Sequence, residues 1–291
     1  MAFEAPSLTL KYGTGREASA EGREALLKGR LAELQLPTAA DVHAKYPAFA
    51  DATSVFVSGS LIWGWAHANS DLDLYVISKE PFVAGPGMET FERHISTADP
   101  LIWITLGEFG PFRTDIEIWR EEQVDEIIGR FANGVPNQEM PEIGMSEHDM
   151  LHRLASGAPI AGDDWFNSRR DAIRASSFSA WLAEAKKLDA EGFLEDVAGL
   201  LASNDEHAAV IAAREAFNRS LAGLLALYGE YGVSPKWMFK RVLAAQPTEI
   251  SKDEAWELLT MKGCHEAPAK WAEHAAAVAT RLLIGIEEKT A

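Results

Sequence analysis

Two hydrophobic rhythms divide this chain. In its first half, apolar residues come in short runs or strict alternation, the period-two signal of strands. That pattern predicts strands over Ser54–Val57, Leu72–Ile77, Leu101–Leu106 and Phe112–Trp119. In the last of these, Phe112, Thr114, Ile116 and Ile118 share one face, while Arg113, Asp115, Glu117 and Trp119 share the other. Helical spacing predicts helices at Ala18–Leu34, Ala39–Tyr46 and Glu121–Arg130, with a helical turn at Trp63–His67. Met88–His94 reads as a short helix or a rim, and Gly107–Pro111 as a turn.

In the second half the rhythm changes to three- and four-residue spacing in Ala-, Leu- and Glu-rich sequence. A helix is expected from Ser146, as N-cap, to about Ala155, followed by a tight turn over Gly157–Gly162. Further helices are expected at Trp165–Lys187, Ala190–Ala202, Asp205–Tyr231, Lys236–Ala245, Lys252–Leu259 and Pro268–Glu287. No strand is expected in this half. The stretch NGVPNQEMPEIG, residues 133–144, is rich in Gly, Pro and Asn, which places a domain boundary at 138/139. The expected fold class is α+β: a small mixed β-sheet domain over 1–138, then an all-α helical bundle over 139–291.

Composition narrows the function classes. Of the 291 residues 47 % are apolar, enough for a sizeable core, yet no apolar run is long enough to suggest a membrane span. The N-terminus lacks the basic start and apolar core of a signal peptide, so a cytoplasmic location is the default expectation. The single Cys264 excludes an internal disulfide and a cysteine zinc cluster. A net charge of −17 opposes nucleic acid as a partner, because such binding rests on Lys and Arg neutralising phosphates. The same charge attracts a small or cationic ligand.

The densest chemistry lies in Val55–Val76, VFVSGSLIWGWAHANSDLDLYV. A strand runs into Gly59-Ser60, a ten-residue connector follows, and Asp71-Leu72-Asp73-Leu74 begins the next strand. Alternation puts Asp71 and Asp73 side by side and turns Leu72 and Leu74 into the core. Adjacent carboxylates repel unless a cation lies between them, and oxygen donors in this arrangement suit Mg²⁺. Gly59 permits close backbone approach, and Ser60 offers a hydroxyl and an N–H to a phosphate.

This stretch resembles the signature of the polymerase-β-like nucleotidyltransferase superfamily: a Gly-Ser turn, a spacer, then Asp-hydrophobic-Asp-hydrophobic, with Ser70 in front. The domain plan looks like that of aminoglycoside adenylyltransferases. The resemblance implies transfer of a nucleoside monophosphate, AMP from ATP, to a hydroxyl of a small acceptor in an interdomain cleft, with release of pyrophosphate. It implies two Mg²⁺ ions on Asp71, Asp73 and a third carboxylate. Asp115 is the candidate for that third group and for the base, and Glu117 on the same face is its alternative. Gly59, Ser60 and Ser70 would contact the triphosphate. Lys236, in a basic patch with Lys240 and Arg241, would reach it from the helical domain. Two other readings keep their place: a protein hydroxyl as acceptor, and a nucleotide-binding regulatory module without turnover.

Other polar and aromatic residues carry plainer expectations. Trp63, Trp65 and Trp119 are expected in core packing rather than stacked on a base. His67 reads as a loop histidine, and His148 and His152 as a solvated helix face, since no third metal ligand accompanies them. Glu230 is a candidate to face an acceptor.

Overall fold

The structure is a computed structural model that describes residues 36–67, 69–132 and 142–290. The expected helix at Ala18–Leu34 lies outside these residues. The chain forms an α+β fold of two compact units, the first running to Ser176 and the second from Ser177 onward.

The first unit is built on a six-stranded mixed sheet. Its strands are β1 (Ser54–Ser58), β2 (Leu72–Ser78), β3 (Thr90–His94), β4 (Leu101–Phe109), β5 (Phe112–Arg120) and β6 (Ala158–Ala161), in spatial order β3-β4-β5-β2-β1-β6. Only β2 and β5 run parallel; the other neighbours are antiparallel. On one face lies a core of Val55, Val57, Leu72, Leu74, Val76, Ile116 and Ile118, with Val42 and Phe49 from the segment before β1. That segment contains helix α1 (Ala39–Lys45), started by a capping box in which Thr38 and Asp41 satisfy each other's backbone N–H groups. Leu61 and Ile62 of the short helix α2 (Ser60–Trp63) join the same core. Full burial of each Leu or Ile there contributes roughly 1.5–3 kcal/mol.

The opposite face carries the polar register positions and is covered only in part. Helices α3 (Glu121–Gly129), α4 (Met145–Ser156) and α5 (Asp163–Ala175) belong to this unit, and Phe166 of α5 packs on Phe56 of β1 at 5.2 Å between ring centroids. Phe56 in turn stacks on its cross-strand partner Tyr75 at 4.9 Å.

Several expectations are corrected. The boundary between compact units falls after Ser176, not at 138/139, because β6 hydrogen-bonds to β1 and binds the intervening helices to the sheet. Ala158–Ala161 is thus a strand, not a turn; Pro159 is tolerated because β6 is an edge. Thr90–His94 is a strand too, and its mixed charged residues suit the other edge. The helical turn of the connector begins at Ser60, not Trp63, and Gly64 caps its end. β4 extends to Phe109, so the following turn is tighter than expected.

The second unit is helical: α6 (Phe178–Ala202), α7 (Glu206–Leu227), α8 (Met238–Ala245), α9 (Lys252–Leu259) and α10 (Pro268–Thr290). The predicted helix Trp165–Lys187 is split at Ser176-Ser177, where the backbone turns extended and the Ser176 hydroxyl donates to the Ile173 carbonyl. Gly223 of α7 allows close packing: a Cβ there would lie 3.1 Å from the Ala183 carbonyl of α6 and from Ile286 of α10. No described helix is long and apolar enough to cross a membrane.

Candidate active site

The sheet places the predicted carboxylates at one end of its central strands. Asp73 on β2 stands in register with Asp115 on the parallel β5 and with Ser58 on β1. Paired residues on neighbouring strands point to the same face, so Asp73 and Asp115 project together. Asp71 immediately precedes β2, and Leu72 and Leu74 are fully buried on the other face. Glu117 is one same-face position further along β5, opposite Tyr75. Its carboxylate accepts a hydrogen bond from Trp119 Nε1 at 3.0 Å and pairs with Arg93 at 3.2 Å. Asp115 has no hydrogen bond or ion pair with a described residue.

Gly59 makes the close approach that the sequence motif implies. Its backbone has φ 87° and ψ −169°, a conformation reserved for glycine. A Cβ at this position would lie 1.8 Å from Asp73 Oδ2 and 2.8 Å from Arg153 Nη1. The Asp73 carboxylate therefore rests directly over the Gly59 backbone, and Ser60 begins helix α2 beside it.

Two arginines hold the paired carboxylates. Arg113 grips Asp71 in a fork, Nε to Oδ1 at 2.8 Å and Nη2 to Oδ2 at 2.9 Å. Arg153 of α4 donates from Nη1 to Asp73 Oδ2 at 3.3 Å and from Nε to both oxygens of Asp149, one turn earlier, at 3.2 Å. Arg153 and Asp149 did not stand out in the sequence. Their four-residue spacing is that of an ordinary surface pair on a helix, and only the fold brings α4 to β2.

Charge is concentrated here. Asp71, Asp73, Asp115, Glu117 and Asp149 face Arg93, Arg113 and Arg153. Burial pushes the Asp73 carboxyl up to about 6; Arg153 opposes that, and Asp149, Asp115 and Glu117 add to it. Burial also raises Asp115, with the Asp71 charge adding to the effect, and raises Glu117 against its bond from Trp119. Arg153 is held more firmly protonated than usual: burial works against its charge, but Tyr75, Asp73 and Asp149 outweigh it.

The donor set suits Mg²⁺ in kind, being all carboxylate oxygen, and its backbone register places Asp73 level with Asp115 and two residues from Asp71. As the side chains stand, turned towards arginines, no group of three or more His, Cys, Asp or Glu among the described residues is arranged to hold a metal ion.

Other candidates fall elsewhere. The Ser70 hydroxyl accepts a bond from the His67 N–H at 2.9 Å, closing the turn before Asp71. Lys236 belongs to the second unit, where its ammonium lies 4.9 Å from the Trp237 ring centroid and that of Lys240 lies 5.0 Å away. The basic patch expected there is reduced to these two lysines, because Arg241 is buried and bonds the Glu230 backbone carbonyl. Glu230 is buried as well, not turned to solvent. Trp65 and Trp119 are buried, in line with core packing.

The sequence matches no protein-family model and no curated protein. In structure the chain is similar to the crystal structure of a nucleotidyltransferase-like protein from Exiguobacterium sibiricum 255-15. The likeness has a TM-score of 0.43 at 11 % identity and covers 84 % of this chain and 72 % of that one.

Proposed function

We propose that this chain is a Mg²⁺-dependent nucleotidyltransferase that moves AMP from ATP onto a hydroxyl of a small cationic acceptor and releases pyrophosphate. One observation carries the reading: Asp73 and Asp115 share a register position on parallel neighbouring strands, beside the Gly59-Ser60 turn that lies under Asp73. Nucleotidyl transfer needs charge neutralisation and alignment more than covalent help, and clustered carboxylates around a backbone turn serve both needs.

Each residue has a role in this reading. Asp71, Asp73 and Asp115 would hold the metal, two ions in all. When bound, Mg²⁺ supplies positive charge to the triphosphate and polarises the reacting oxygens. Asp115 takes the proton of the acceptor hydroxyl; its raised pKa moves it towards the working range of a general base. Gly59 and Ser60 offer N–H and hydroxyl donors to phosphate oxygens, and only glycine leaves room for Asp73 above the turn. Ser70 shapes the approach to Asp71 through its bond from His67. Lys236 keeps the triphosphate contact expected of it from the sequence.

The test is Mg²⁺-dependent pyrophosphate release from each of the four ribonucleotides, with and without hydroxylated amines such as aminoglycosides, using Asp73→Asn as the control. Acceptor-dependent release that vanishes in the variant supports the transferase. Release that persists in the variant removes Asp73 from the chemistry and overturns the assignment.

A further inference from the structure

Among the described residues, half of the carboxylate face carries exposed apolar side chains. Along β4, Ile104, Leu106 and Glu108 alternate onto the face that carries Asp115, because Leu106 is in register with Asp115 and Ile104 with Glu117. Phe91 on the edge strand β3 is in register with Ile104 and continues the same row. Leu106 is 63 % exposed and Phe91 49 %, two of the large apolar side chains most open to solvent. The other face of β4 is packed: Thr105 and Phe109 are buried, and Gly107 lies against Tyr46. The strand is thus well ordered on one side and leaves an apolar strip on the other.

Charge says what this strip suits. Asp115 lies directly across from Leu106, and Glu108 lies two residues along. Neither carboxylate has an ion pair or hydrogen bond with a described residue, although the Arg113 charge acts on Asp115 and the Lys45 ammonium bonds the Glu108 backbone carbonyl. Arg113, the cross-strand neighbour of Glu108, is spent on Asp71, and Arg93 is spent on Glu117. An apolar strip that ends at the Glu108 carboxylate, beside Asp115, complements an apolar body that carries an ammonium group.

We infer that this strip is the acceptor surface, and that the acceptor is a small amphipathic amine. Its ring or chain rests on Leu106, Ile104 and Phe91, and its ammonium lies at Glu108, which leaves Asp115 to the metal and the acceptor proton. The inference rests on the transferase reading for the word acceptor and not for the binding itself. It narrows the substrate class: a purely polyhydroxylated amine leaves the strip unused, whereas an apolar amino alcohol uses both parts and presents its hydroxyl near Asp115.

Phenylalaninol, an amino alcohol with a phenyl ring, is a suitable probe, and ligand-detected NMR measures its affinity without nucleotide or metal. Ethanolamine lacks the ring and 3-phenylpropanol lacks the charge; each is expected to bind about tenfold or more weakly. Leu106→Asn, at an exposed position that does not threaten the fold, is expected to weaken phenylalaninol by about tenfold. Glu108→Gln is expected to weaken phenylalaninol and leave 3-phenylpropanol unchanged. Ile211→Asn, another exposed apolar position, on α7, serves as the control. Absence of phenylalaninol binding, or affinity indifferent to Leu106→Asn, overturns the inference. Binding that depends on Leu106 without any pyrophosphate release would sink the transferase and keep the surface. Release unaffected by Leu106→Asn would do the reverse.

Discussion

Replacing Gly59 by alanine tests the geometry at the centre of the site. Two separate costs are expected. The first is backbone strain: φ 87° with ψ −169° lies in a region that residues with a Cβ almost never occupy, and forcing one there costs about 1–3 kcal/mol. The second is steric. The new methyl would sit 1.8 Å from Asp73 Oδ2, so the carboxylate must swing away and give up its 3.3 Å contact with Arg153. Both partners are mostly shielded from solvent, at 26 % and 22 % exposure, and losing such a contact costs about 1–2 kcal/mol. The total is about 2–5 kcal/mol. A double-mutant cycle separates the terms. In an Asp73→Ala background no carboxylate stands over Gly59, so Gly59→Ala retains the strain and loses the 1.8 Å collision, leaving only the 2.8 Å approach to the flexible end of Arg153. Urea unfolding followed by tryptophan emission, read on the transition of the sheet unit, measures both steps. Equal penalties in the two backgrounds would refute the placement of Asp73 over the turn. No penalty in either would refute the backbone conformation itself.

Three further outcomes are expected. Asp71→Asn is expected to lower transfer by about a hundredfold to a thousandfold while the protein stays folded, the range seen when one group that organises transition-state charge is removed; circular dichroism beside a pyrophosphate assay checks it, and near-native rates would remove Asp71 from the site. Asp73, pushed up from 3.8 to about 6 by burial, holds its proton longer folded than unfolded, so its contribution is largest below its unfolded value and is lost as pH rises through the folded one. Stability measured by urea titration is therefore expected to fall between about pH 4 and pH 6, by at most about 3 kcal/mol, and Asp73→Asn is expected to flatten that slope; an equal slope in the variant would assign it to other groups. Lys236→Ala is expected to weaken nucleoside triphosphate binding by isothermal titration, and unchanged affinity would leave Lys236 only its contact with Trp237.

Much of the local geometry of the candidate site was legible in the sequence. Gly59-Ser60 and the Asp71–Leu74 alternation depend on strand period and turn chemistry, which act over a few residues. The burial of Leu72 and Leu74 and the alternation of β5 followed from the same rule. Helix Lys252–Leu259 coincides with its predicted span, since Ser251 caps it and acidic residues fill its first turn. Edges were harder to read. β3 and β6 are short and paired on one side only; β3 is mostly charged, and β6 is a four-residue run bounded by Gly157 and Gly162, so their sequences pass for a rim and a turn.

What the sequence alone determined, then, is the alternation that turns the carboxylates to one face of the sheet and the helical rhythm that builds the second unit. Tertiary structure decided the rest, because it depends on pairing between distant segments. Parallel pairing of β2 with β5 aligned Asp115, not Glu117, with Asp73 across 42 residues of chain. β6 drew helices α4 and α5 into the sheet unit, and α4 carried Arg153 to Asp73 from 80 residues away. Pairing β4 with β5 set Leu106 beside Asp115. Each of these neighbours is specified by hydrogen-bond register and burial across strands, which local periodicity does not encode.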